Sequence, residues 1–185
     1  MDTMKKIYLA FLKNSRGVAA VEFALILPIF ILLVFGAYGM FIMLQQNNRI
    51  DRASAMVSDL ISREIEIDNA DVDRFFDVSK ALIGPLADDD SYKITLTSVF
   101  NEFDSAGDED LSINWSTSNI TNEKLTLEDL EGLTLPSVAE GDSIIIVTAE
   151  VGYRPTFLDG IVSDSLTFES IAVKRPRFVP LITLN

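Results

Sequence analysis

Residues 16–44 read RGVAAVEFALILPIFILLVFGAYGMFIML, and from Phe23 to Leu44 the stretch runs 22 residues without a charge. As a helix rising about 1.5 Å per residue, such a run spans roughly 33 Å, enough to cross the hydrocarbon core of a bilayer. Lys5, Lys6, Lys13 and Arg16 precede it, and a strongly acidic sequence follows it. Basic flanks stay on the cytoplasmic side, so the reading is a single-pass anchor with the first residues cytoplasmic and the remainder exported across the lipid bilayer.

Composition supports this segregation. The 185 residues are 48% apolar with a mean hydropathy of +0.26, yet carry a net charge of −13. Residues 1–50 hold five of the fifteen Lys and Arg and only Asp2 and Glu22 among the acids. Residues 51–185 therefore carry ten basic against twenty-six acidic side chains, a formal −16. Such a domain repels phosphate backbones, so no nucleic-acid partner is expected. With no cysteine and no histidine, thiolate and His/Cys metal sites, cysteine nucleophiles and histidine-based triads are all removed. An enzyme would have to work with carboxylates, Lys, Tyr or Ser. No motif of defined spacing supports one, so the expectation is a non-enzyme without cofactor or metal, and a paired-carboxylate or Ser/Lys hydrolase is the enzymatic alternative.

Three readings compete for the apolar run. A cleaved signal peptide has a shorter apolar region of roughly 7–15 residues and a small-x-small site, for which Gly36-Ala37-Tyr38-Gly39 is a poor substitute. A plain anchor explains length and charge but not the acid at position 22. The third reading uses that acid. Gly17 marks the boundary of the basic and apolar regions, Glu22 follows five positions later, and Phe23 is next. This resembles the prepilin processing site, in which cleavage falls between the positions of Gly17 and Val18 and leaves Glu22 as the fifth residue of the mature chain. Gly17, with no side chain, can be held extended in a narrow protease subsite. Cleavage would create an α-amine on Val18 with a pKa of about 8, mostly charged, where apolar helices pack. Glu22 on a staggered neighbour would pair with that amine and set register, as buried polar groups do in coiled coils. The plainer account of Glu22 is an acid in the first helical turn, favoured by the macrodipole.

Ala20 and Ala24 form a small-xxx-small pair, and Pro28 removes one backbone donor, so this part of the helix suits close packing or a kink. Beyond the apolar run, Ile50, Ala53, Val57, Leu60 and Ile61 recur at helical spacing with no Gly or Pro from Met40 to Arg74, which predicts one helix from Val18 to about Ile67. The expected organisation is a basic cytoplasmic leader (1–17), a long helix (18–67) with its transmembrane part at 23–44, and an acidic extracytoplasmic α+β domain (68–185).

In that domain, Asp71–Ile83 reads as a second helix burying Val72, Phe75, Phe76, Ser79, Leu82 and Ile83, ended by Gly84-Pro85. Residues 93–100 alternate as a half-buried strand, an acidic turn at 104–110 leads to a strand holding Ile113 and Trp115, and residues 125–130 suggest a short helical turn. Ser143–Tyr153 reads as a central strand and Leu166–Lys174 as another, giving a small four-stranded antiparallel sheet with one packed helix. Two acidic clusters, Asp88-Asp89-Asp90 and Asp104/Asp108/Glu109/Asp110, lack EF-hand spacing and read as solvated turns, with calcium the alternative. Lys174, Arg175 and Arg177 around Pro176 read as a solvated face, with contact to a partner or to lipid headgroups the alternative.

Taken together, the opening RGVAAVEFALILPIFILLVFG resembles the TadE-like family of minor pseudopilins of tight-adherence (Tad, Flp) pilus systems. Gly17, Glu22, Phe23 and Leu27-Pro28 within one apolar helix carry the likeness, with shorter matches at Trp115-Ser116, Glu150-Val151-Gly152-Tyr153 with Pro155, and Arg175-Pro176-Arg177. The resemblance implies a pilin-like fold in a bacterial inner membrane, processing by an aspartyl prepilin peptidase, and assembly with other pilins, minor pseudopilins and an inner-membrane pilus assembly platform. A minor subunit acting in pilus assembly and surface adhesion is implied, because major Flp pilins are much shorter. The competing class is an uncleaved, membrane-anchored binding or sensor module that never enters a filament.

Overall fold

The computed structural model describes residues 17–84, 92–102, 110–121, 123–153 and 166–185, so the leader up to Arg16, the Asp88–Asp90 cluster, Asp104, Asp108, Glu109 and Pro155 lie outside the described residues. The longest element is α1, Val18–Ile61, 44 residues with Pro28 inside it. The chain divides into two compact units between Met43 and Leu44.

In the first unit every residue from Gly17 to Tyr38 is exposed. An apolar helix exposed on all sides requires lipid or other apolar helices around it. In the second unit, Ile50, Ala53, Val57 and Ile61 of the same helix are at most 1% exposed and form one stripe. Leu60, expected in that stripe, is instead 40% exposed beside Met56.

The helix ends at Ile61, short of the expected Ile67. Ser62 and Arg63 close the last turn through hydrogen bonds to the Ser58 and Leu60 carbonyls. The chain then runs exposed from Arg63 to Glu66, Ile65 included, before Ile67 is buried. Glu66–Ile67 is a short strand, β1. Asp68 begins the next helix with a capping box, its carboxylate accepting from the Asp71 N–H at 2.8 Å while the Asp71 carboxylate accepts from the Asp68 N–H at 3.1 Å. This helix, α2 (Asn69–Ile83), buries Val72, Phe75, Ser79 and Ile83 and stops at Gly84, whose φ of 84° suits glycine.

The remaining elements are β2 (Tyr92–Asn101), β3 (Leu111–Ser118), the short α3 (Leu127–Glu131), β4 (Ser143–Tyr153), β5 (Leu166–Lys174) and β6 (Thr183–Leu184). Four strands form an antiparallel sheet in the order β3-β2-β4-β5, so the fold is α+β with the long helix leading. Ile94 and Leu96 of β2, Trp115 of β3 and Ile145, Val147, Ala149 and Val151 of β4 pack with α1 and α2 into the larger core cluster.

Strand β2 is not half-buried as its alternation suggested. Ile94 through Val99 are all buried, because the chain between Leu125 and Val138, including α3, lies on the sheet's other face and packs Leu130 and Val138 against Val99, Ile144 and Ile146. Asn101 helps hold this layer: its amide donates to the Val138 carbonyl at 2.6 Å, and its side-chain oxygen accepts from the Asp110 N–H at 3.0 Å.

The C-terminal stretch ties the unit together. Strand β6 pairs in parallel with β1, Thr183 opposite Glu66 and Leu184 opposite Ile67, a two-stranded sheet that the sequence reading did not contain. The Ile182 carbonyl accepts from Trp115 Nε1 at 2.8 Å and from the Asn114 amide at 3.3 Å, while Ile182 itself is fully buried. The Ser143 hydroxyl donates to the Pro180 carbonyl at 2.7 Å. Nor are Arg175 and Arg177 merely solvated: Arg175 donates to the Ser137 carbonyl at 2.6 Å, and Arg177 pairs with Asp59 of α1.

Candidate membrane and assembly helix

Unit one presents the residues singled out by the sequence reading along a single helix. Gly17 is the residue before helix α1 and is exposed, and a Cβ built on it meets nothing within 4 Å. The fold itself therefore places no steric demand for glycine at position 17. Val18 is the first helical residue and is 53% exposed.

Glu22 lies on the fifth residue of α1, and the first turn holds no acid. Val18 and Glu22 are four residues apart and share a face, separated by about 6 Å along the axis. Ala20, Ala24 and Pro28 also recur every fourth residue, on a stripe about 200° around the helix from Val18 at roughly 100° per residue. Pro28 cannot donate to the Ala24 carbonyl, so the smallest part of that stripe also carries a backbone acceptor without its helical donor. Phe23 is 65% exposed between the two stripes.

Across this helix the best apolar window has a mean hydropathy of 2.8 and none of it is buried within the chain. Its length and composition fit a membrane anchor. The charge-bearing chemistry of the folded unit is different in kind. Asp59 is held below its ordinary carboxylate range first by hydrogen bonding to Arg63, which with the Arg177 and Arg63 charges outweighs the opposing desolvation. Burial pushes the Tyr92 phenol up to about 12, partly offset by its hydrogen bond with Ser79. Burial pulls the Lys93 ammonium down, but Glu123 at 3.2 Å and Glu150 at 3.4 Å outweigh it and leave it raised. These groups are tied into pairs that stabilise the fold, and among the described residues no cluster of three or more His, Cys, Asp or Glu is arranged to hold a metal.

Among the described residues, one helix long and apolar enough to cross a membrane runs on into an α+β unit, and that combination defines the class. Residues 17–59 match the family model described as TadE-like protein, so this segment is similar to that family. The match begins at Gly17 and ends on the Asp59 that pairs with Arg63 and Arg177, and it covers less than a quarter of the 185 residues. No curated protein and no solved structure matches the chain.

The sequence reading missed one feature of the folded unit. Met56 and Leu60 of α1 and Val78 and Leu82 of α2 line an open apolar groove. The signal was present as a second i,i+4 pair on each helix, outside the buried stripe.

Proposed function

We propose that this chain is a minor pseudopilin of a Tad-type pilus, acting in pilus assembly and surface adhesion. It is held in the inner membrane with its folded domain extracytoplasmic and is matured by a prepilin peptidase between Gly17 and Val18. The observation that carries the reading is the pairing of a glycine for which the fold has no steric use with an acid one helical turn beyond the new N-terminus, at the start of a TadE-like segment. A cleaved chain presents the Val18 ammonium in an apolar packing zone. An unpaired charge there is costly, and a carboxylate from a staggered neighbour offsets it. Glu22 is that carboxylate, Phe23 packs beside it, and the Ala20-Ala24-Pro28 stripe on the far side lets other pilin helices approach closely.

The test is the intact mass of the protein extracted from its native membrane, in wild type and in Gly17→Leu. Because a Cβ at position 17 meets nothing within 4 Å, the variant is expected to fold as the wild type does. The expected result is a mature chain beginning at Val18 in wild type and a retained leader in the variant. Full-length mass for both, in cells with an active peptidase, would overturn the proposal and leave an uncleaved anchor bearing a binding module.

A further inference from the structure

Charge on the folded unit is distributed unevenly. Residues 51–185 hold ten cations among twenty-six acids, yet Arg52, Arg63 and Lys174 gather on the rim of the α1/α2 groove, where the one acid, Asp59, is shared between Arg63 and Arg177. The groove has a volume of about 670 Å³, and Met56, Leu60 and Val78 on its floor are 54%, 40% and 36% exposed. An open apolar trough rimmed by cations on an otherwise acidic surface selects an acidic partner with an apolar centre.

The sheet's other face has that character. Strand β5 turns Phe168 toward the helix-side core, which leaves the odd-numbered Glu169 and Ile171 on the opposite face. Ile171 is 48% exposed there, and Leu127 of α3, in the layer covering this face, is 52% exposed. Glu128 and Glu131, on the same short helix as Leu127, and Glu169, two residues from Ile171, are also exposed. Ile171 and Glu169 share a depression with Asp129, Lys124 and the Glu123 and Glu150 carboxylates that pair with Lys93, so acids outnumber cations there four to two.

We propose that the groove receives the acidic α3/β5 face of a second copy of this chain, with Leu127 entering between α1 and α2 and Glu128 and Glu131 meeting Arg52, Arg63 and Lys174. The two patches lie on opposite faces of one sheet, so the contact is heterologous. It joins copies head to tail instead of closing a two-fold dimer. A contact this small falls below the roughly 1,200 Å² of stable soluble complexes and needs the raised effective concentration of molecules confined to one membrane or filament. The inference goes beyond the processing reading, because it concerns surfaces of the folded unit and does not require a free Val18 amine.

The chain contains no cysteine, so introduced pairs report contacts cleanly. In full-length protein in its native membrane, mild oxidation of Met56→Cys/Leu127→Cys is expected to give a reducible ladder of dimers, trimers and longer species. Each single variant stays monomeric, and the two singles co-expressed give dimers only. Leu60→Cys/Ile171→Cys serves as a second pair. Arg52→Glu with Lys174→Glu should abolish the ladder, and adding Glu128→Lys with Glu131→Lys should restore it. Dimers from Met56→Cys alone, crosslinks to a different protein, or monomers from both double variants with wild-type melting behaviour would each overturn the proposal. A Val18 N-terminus with assembled pili but no ladder removes only the copy-to-copy docking. A ladder from chains that keep their leader removes only the processing reading.

Discussion

Helix α1 shows two regimes within one element. From Phe23 to Tyr38 it is without charge on all sides and exposed throughout, whereas from Ile50 to Ile61 it buries one face, Ile50, Ala53, Ser54, Val57, Ser58 and Ile61, and exposes the other. Backbone geometry is the same in both regimes. What changes is the surroundings that satisfy the side chains: unit one depends on lipid or neighbouring helices, while unit two supplies its own apolar partners from α2 and the sheet. Substitutions in the first should therefore disturb insertion and assembly without touching domain stability. In the second they should do the reverse.

The largest expected effect tests that division at Glu22. Glu22→Leu should abolish incorporation into pili, a change from full to background levels by immunogold or sheared-pilus blotting, while domain melting stays at the wild-type value. Normal incorporation would sink the amine-pairing scheme.

Stability should respond on the other side. Ile61→Ala removes a fully buried side chain and should cost about 2–5 kcal/mol, whereas Leu33→Ala, at a position 64% exposed, should change domain stability by less than about 0.5 kcal/mol. Denaturant melts of full-length protein in detergent micelles measure both. Equal losses would mean that the two regimes are not independent.

A smaller and pH-dependent effect sharpens the description of unit two. Tyr92 has its phenol raised from about 10 to about 12 by burial against α2. The folded state thus keeps its proton where the unfolded chain has lost it, so the contribution is fully present below pH 10 and is lost as pH rises from 10 through 12. The loss should be on the order of 2 kcal/mol, and Tyr92→Phe should remove that slope from melts recorded across this range. An unchanged slope in Tyr92→Phe would assign the alkaline loss to another group.

The sequence by itself determined the elements whose signals are local. A 22-residue charge-free run can be little else than an apolar helix, and Ser143–Tyr153 and Leu166–Lys174 emerge as strands with the bounds that their β-branched and alternating residues suggest. The Val72, Phe75, Ser79, Ile83 face of α2 was equally legible, because 3.6-residue periodicity survives intact over fifteen residues. Gly17, Val18, Glu22 and Phe23 were singled out in a different way, by the resemblance of this stretch to a prepilin processing site, and their role stands as a proposal.

Tertiary structure decided what depends on partners distant in sequence. Helix α1 stops at Ile61 because Glu66 and Ile67 pair with Thr183 and Leu184, more than a hundred residues later, and no local pattern announces that partner. Strand β2 is buried on both faces because α3 and the chain around Val138 fold over it, which alternation in β2 alone cannot encode. Arg177 reads as a solvated charge until Asp59 is brought beside it. The basic groove and the acidic face opposite it exist only once two helices and a sheet are assembled, since each draws its residues from separate elements. Local propensity and periodicity specify elements, and the burial and charge of a surface are set by what is packed against it.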